Sequence, residues 1–179
     1  GTGSLSSIIG TVAGTVTKFG TGTWTLLGAS TYTGATTVAQ GTLRLGAAGG
    51  ATNTPLGTTG TGTVVNSGGV LDLNGFTLGT AEGLTLNGRG ISDGGALISA
   101  ATCSYSGAIA QGTDSRIASP TSGQTLTLSG AVSGTGLTLR IGGTGNITLT
   151  GATAAAAVAL TKDGSGTFTV NASQGHTGA

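Results

Sequence analysis

V-T-K-F-G-T-G-T-W-T-L, running from Val16 to Leu26, returns near the end of the chain as L-T-K-D-G-S-G-T-F-T-V, from Leu160 to Val170. The 144-residue offset needs no gap, and it carries on to the T-G-A of Thr33 to Ala35, matched by the T-G-A of Thr177 to Ala179. Residues 16–35 thus match residues 160–179, and the chain reads as a little over one copy of a longer unit. A sequence cut from a repeating array is organised for extension rather than around one reactive centre.

A shorter period lies inside the long one. G-T-W-T-L begins at Gly22, G-T-L-R-L at Gly41, G-T-V-V at Gly62, G-L-T-L at Gly83, Q-T-L-T-L at Gln124, G-N-I-T-L at Gly145 and G-T-F-T-V at Gly166. The steps are roughly 19–21 residues long, the range of a repeat unit that winds once per copy. S-Y-S at Ser104 fills the one double gap, and seven steps make the 144-residue period. Each block alternates apolar with small polar residues, the period of two that sends successive side chains to opposite faces of a strand. The inward column read this way is Trp24, Leu43, Val64, Leu84, Tyr105, Leu126, Ile147 and Phe168. A second column two residues on holds Leu26, Leu45, Leu86, Leu128, Leu149 and Val170, while Thr25, Arg44, Val65, Thr85, Ser106, Thr127, Thr148 and Thr169 face outward. A further apolar position in most steps, near Val38, Leu56, Phe76, Leu97, Ile117, Leu137 and Val158, supplies another side.

Helix is disfavoured because Gly costs about 1 kcal/mol in a helix interior, β-branched residues favour strands, and no 3.6-residue pattern is visible. Only Ala154 to Ala159 has helical character, and the period places a strand there. One strand per step, with Asn74-Gly75, Asn87-Gly88, Gly68-Gly69 and Gly94-Gly95 to turn corners, describes a winding chain. Each turn then lies ~4.8 Å above the last, its strands paired in parallel along the axis. The expectation is an all-β chain, one right-handed parallel β-helix (β-solenoid) over residues 1–179, with roughly 19–21 residues per rung and eight to nine rungs. The alternative is a β-sandwich, which the strand spacing alone permits but the commensurate long repeat does not explain.

Composition agrees with a scaffold. Gly is the largest class at 38 residues, only 6% of the chain is charged, and the net charge is +1. Mean hydropathy of +0.30 opposes disorder despite the glycine content. There is no basic footprint for nucleic acid, and no apolar run reaches the ~18 residues of a membrane helix. No initiator Met or charged leader precedes Gly1, so the sequence reads as a fragment or processed piece of a longer array.

T-K-F-G-T-G-T-W-T-L-L-G-A-S-T-Y-T-G-A-T-T-V-A-Q-G-T-L-R-L-G, Thr17 to Gly46, resembles the autotransporter-associated β-strand repeat of passenger regions in large bacterial surface proteins. T-V-V-N-S-G-G-V-L-D-L-N-G, Thr63 to Gly75, is similar to the sequence between such repeats, and Leu160 to Ala179 is a second, degenerate copy. The pattern departs at Ser30, where the family has Asn, and at His176, where the first copy has Tyr32. The resemblance implies a right-handed β-helix exported from a Gram-negative-type cell and displayed or released outside. It implies scaffold without catalytic residues.

The residues able to carry chemistry are few. Asp72, Asp93 and Asp114 are equally spaced, one rung apart, so they form either an acidic ladder or three turn residues capping their own backbone. A polysaccharide-active enzyme requires Arg89 or Arg116 to converge with Asp93 and Asp114. Asp163-Gly164-Ser165-Gly166 only loosely echoes a calcium β-roll repeat. Cys103, the lone cysteine, shares strand parity with Tyr105 and reads as a small buried hydrophobe, and with the lone His176 it makes neither a nucleophile pair nor a zinc site. Trp24 reads as core because Phe replaces it one long period later, whereas Tyr32 in its T-Y-T-G turn is the candidate surface aromatic for a glycan.

The sequence therefore predicts no enzyme, no cofactor and no metal. It predicts a structural module: a stalk, spacer or fibre segment at the bacterial cell surface or in the extracellular space, with no membrane insertion of its own. The expected partners are copies of itself or adjacent repeats stacked end to end. Cell-surface glycans are a second class.

Overall fold

The computed structural model describes residues 1–153 and 158–171. His176, the T-G-A at Thr177 to Ala179, most of the second repeat copy's tail and the alanines at 154–157 lie outside the described residues.

The chain is a β-solenoid of about eight turns with three faces. The first face stacks Gly3–Leu5, Thr23–Leu26, Gly41–Leu45, Gly69–Asp72, Leu97–Ile98, the second half of Ile109–Ala118, Leu137–Gly142 and Val158–Lys162. The second stacks Val16–Lys18, Thr36–Val38, Thr63–Val65, Leu84–Gly88, the first half of Ile109–Ala118 and Val132–Ser133, with a bridge on to Thr153. The third stacks Cys103–Tyr105, Thr125–Leu128, Asn146–Leu149 and Phe168–Val170. Every pairing between turns is parallel. The one antiparallel pair among the described residues, Asn53–Thr54 with Gly57–Thr58, is a local hairpin that tucks Leu56 inward.

The interior is built as the alternation requires. Leu43, Leu71, Leu97, Ile117 and Ile141 lie in one register on the first face, all almost wholly buried. Val38, Val65 and Leu86 do the same on the second, and Leu126 and Ile147 on the third. Burying such a side chain contributes roughly 1.5–3 kcal/mol, so no single turn stabilises itself but a stack does. Corners are turned by left-handed residues, of which Asn74 (φ 51°) and Gly75 (φ 82°) form one pair foreseen from sequence.

The rungs are less regular than the sequence period suggests. On the first face the chain advances from Trp24 to Leu43, then to Leu71, Leu97, Ile117 and Ile141, so the turn that ends at Leu71 is almost half as long again as the one before it. The extra length is looped out at corners, as in the Asn53–Thr58 hairpin and the short 3-10 turn Ile91–Asp93. Because of it, the column read from sequence as one is divided among the faces. Trp24 and Leu43 pair on the first face, Val64 and Leu84 belong to strands of the second, and Tyr105, Leu126, Ile147 and Phe168 to strands of the third. In Thr63–Val65 the buried residues are Thr63 and Val65, so Val64 faces outward and Val65, assigned outward from sequence, faces the core.

The long repeat also falls out of phase with the faces. Val16–Lys18 lies on the second face, but its later copy in Val158–Lys162 lies on the first; Trp24 is on the first and Phe168 on the third. One long repeat therefore carries the chain through six turns and about a third rather than seven equal ones.

Candidate functional site

Three polar clusters stand out among the described residues, and each follows from its place in the winding. The first is external. Arg116 and Arg140 stand opposite each other in register, and because Ile117 and Ile141 beside them point inward, both arginines point out. Arg116 Nη2 lies 2.7 Å from Asp163 Oδ1, and Arg140 Nε 3.3 Å from Asp163 Oδ2. Arg140 Nη1 is 3.0 Å from Asp93 Oδ2, with Arg116 at 3.7 Å from the same oxygen and Arg89 at 3.8 Å from Asp93 Oδ1. Asp93 is held there by two successive left-handed residues, Ser92 (φ 50°) and Asp93 itself (φ 60°), and its carbonyl oxygen also accepts from Arg116.

This network decides the acidic-ladder question. Arg89, Arg116 and Asp93 converge, but Asp114 does not join them: it accepts the Thr138 amide at 2.8 Å on the exposed surface. Asp72 is paired instead with Arg44, 2.8 Å away and directly opposite in register. Equal spacing in sequence fails to stack the three aspartates because the turns between them, from Leu71 to Leu97 and from Leu97 to Ile117, are unequal in length. Asp72, Asp93 and Asp163 are thus each held by at least one guanidinium from another turn, in charge-assisted pairs that rivet turns together. Among the described residues no three acids, cysteines or histidines converge as metal ligands.

The second cluster is Lys18. It occupies an inward register position beneath Val38 and is fully buried, yet no carboxylate among the described residues pairs with it. Its ammonium donates to the carbonyls of Phe19 at 2.9 Å, Gly20 at 2.6 Å and Gln40 at 3.0 Å, and sits 5.6 Å from the centre of the Trp24 ring. Gln40 belongs to the next turn, so the lysine joins two corners. Lys162, its repeat equivalent, makes the matching contact to Gly164 at 2.9 Å but is exposed.

The third is internal. Glu82 is 1% exposed; its Oε1 accepts from the Thr63 hydroxyl at 3.0 Å, and its Oε2 has no partner. Tyr105 donates to the Glu82 carbonyl at 2.6 Å, and Tyr32 and Thr36 share a hydrogen bond of 2.5 Å. Burial pushes the Glu82 carboxyl up to about 7 and the Tyr32 phenol up to about 12. Tyr32, the surface aromatic expected from sequence, is fully buried, its ring packed on Gly57. Cys103 is buried too, its thiol 3.2 Å from the Ser99 hydroxyl and its pKa raised by burial.

Sequence reasoning named Asp93, Arg89 and Arg116 but missed Arg140 and Asp163 as partners, although Arg140 lies one turn beyond Arg116. It gave no role to Lys18 or to Glu82. The only signal for Lys18 was its presence in both repeat copies. An open groove of about 570 Å³ also escaped it, running over four successive corners lined by Phe19, Gln40, Ser67, Ile91 and Ser92.

The passenger-associated-transport-repeat family model matches residues 16–45 and 160–179, the two segments that share the V-T-K-F-G-T-G-T-W-T-L pattern. Neither the curated proteins nor the solved structures give a match to this chain. No helix among the described residues is long and apolar enough to cross a membrane.

Proposed function

We propose that this chain, which carries two passenger-associated-transport repeats, is a structural stalk or spacer segment of an exported bacterial surface protein, and that its turns stack end to end on adjacent repeats or on copies of itself. The observation that carries this reading is the pattern of exposure along the axis. The apolar side chains of the strands are sealed through the middle turns, with Ile91 exposed only at a corner, but Leu5, Ile8 and Val12 in the first turn and Val170 in the last described one are 37% to 82% exposed. Open strand edges at the end of a sheet are templates for further pairing. Three of the five acids, Asp72, Asp93 and Asp163, are tied up by arginines, which supports a mechanical role over a catalytic one. Sedimentation velocity over rising concentration, with negative-stain imaging, tests the assembly: growing rods of uniform width support it, and monodisperse particles of fixed length refute end-to-end stacking.

A glycan-binding module is the second reading, favoured by the corner groove, where Phe19 is 69% exposed beside Gln40 and Ser92. An exposed aromatic ring with hydrogen-bonding neighbours suits the face of a sugar. Loss of signal for Phe19→Ala on a glycan array supports it; no binding by the unmodified chain removes it.

A further inference from the structure

We propose that Glu82 is a proton-operated latch inside the solenoid: with the carboxyl neutral it ties the middle turns together, and its ionisation loosens them. The geometry leaves the charged form without support. Glu82 sits at the corner entering Leu84–Gly88, its Oε1 under the Thr63 hydroxyl of the preceding turn and its backbone carbonyl covered by Gly107 of the following one. Three hydroxyls of this part of the interior are committed elsewhere. The Tyr105 hydroxyl is spent on the Glu82 backbone, the Tyr32 hydroxyl on Thr36, and the Thr36 hydroxyl on the Leu56 carbonyl at 2.8 Å. The titratable groups that feel it are Tyr32 and Tyr105, both phenols raised by burial and further by Glu82 itself. The interior's one other charged side chain among the described residues that lacks a counter-ion, Lys18, is held by three carbonyls at a different corner.

A carboxylate stripped of water with one hydroxyl partner and an empty second oxygen is strongly disfavoured against the acid. The folded chain therefore keeps the proton up to about pH 7, whereas the unfolded chain releases it near pH ~4.3. Between those values the folded state binds more protons, so stability is fullest below the lower one, falls as pH rises through the window, and levels off above the upper one.

The test is urea unfolding of the chain and of Glu82→Gln from pH 5 to pH 8, with infrared spectra in deuterated buffer. The folding constant of the unmodified chain is expected to fall on the order of a hundredfold across that range, and that of Glu82→Gln to lose this component. A protonated-carboxyl infrared band is expected at pH 6, where exposed carboxyls are ionised, and its absence from Glu82→Gln assigns it. The infrared reading on the unmodified chain stands even if the variant fails to fold. No such band at pH 6, or parallel pH profiles for the two chains, overturns the proposal.

Discussion

Replacing Gly130 by alanine tests the closeness of the turns more sharply than any core truncation. Gly107, Gly130 and Gly151 lie above one another at one corner. A Cβ on Gly130 would land on the carbonyl oxygen of Gly107 and 2.8 Å from that of Ser106, where ordinary contact begins near ~3.5 Å. The obstacle is backbone on the neighbouring turn, not the end of a flexible side chain, so relief means prising two turns apart. Overpacking of this kind costs ~1–3 kcal/mol. Opening the corner also strains the flanking bonds from Ser129 N to Tyr105 O at 2.9 Å and from Ile109 N to Ala131 O at 2.8 Å. At ~1 kcal/mol net for each, the total comes to about 4 kcal/mol. Two other glycines separate this effect from backbone freedom. Gly123 has φ 77° and open space around it, so Gly123→Ala carries only the ~1–2 kcal/mol of a left-handed alanine. Gly60 has open space and no such φ, so Gly60→Ala is neutral or raises stability by ~0.4–1 kcal/mol through the unfolded chain. Thermal melts followed by circular dichroism rank the three, with Gly130→Ala lowest by about 10 °C. A Gly130→Ala melt equal to that of Gly60→Ala refutes the close stacking of these corners.

The two repeat lysines provide a matched pair: Lys18→Ala orphans three carbonyls at a buried corner and is expected to cost about 3 kcal/mol, whereas Lys162→Ala stays within ~0.5 kcal/mol, both read by urea midpoint. Arg116→Gln cuts the bridge between Asp93 and Asp163; at 15% side-chain exposure it is worth about 1–2 kcal/mol, and the loss should shrink in high salt. Cys103 is expected to resist a thiol-specific reagent in the native chain and to react at once in denaturant, since its thiol is buried and hydrogen-bonded to Ser99. Rapid native labelling contradicts its placement.

The architecture was legible because alternation and recurrence are properties of the chain itself: G-T-L-R-L at Gly41 declares a strand, and its many relatives declare a stack. The assignment of strands to faces was not legible. A face is set by the cumulative length of the corners, and the hairpin at Asn53–Thr58 or the turn at Ile91–Asp93 adds residues without disturbing the local pattern on either side. Val64 shows the result, since a one-residue change of parity exchanges it with Val65 between core and surface. The same slippage hid the site. Asp72, Asp93 and Asp114 share a spacing but not a height or direction, while Asp93 and Asp163, distant in sequence, meet through Arg116 and Arg140. Tyr32 illustrates a different gap, because it packs on Gly57 and bonds Thr58 of an inserted hairpin that no periodicity announces.

Parallel turns in vertical register are the claim on which the rest stands, and an engineered cross-link reads them directly. Thr127 and Thr148 are register partners on successive turns of the third face, on its outward side. One inter-strand step of ~4.8 Å separates them, within the ~4.4–6.8 Å that a disulfide spans. Thr169 is the next partner up, two steps from Thr127. With Cys103 replaced by alanine, Thr127→Cys/Thr148→Cys is expected to close an intramolecular disulfide under mild oxidation without loss of the strand signal, and Thr127→Cys/Thr169→Cys to remain a free dithiol. Failure of the first pair to close, or equal closure of both, contradicts the stacked solenoid.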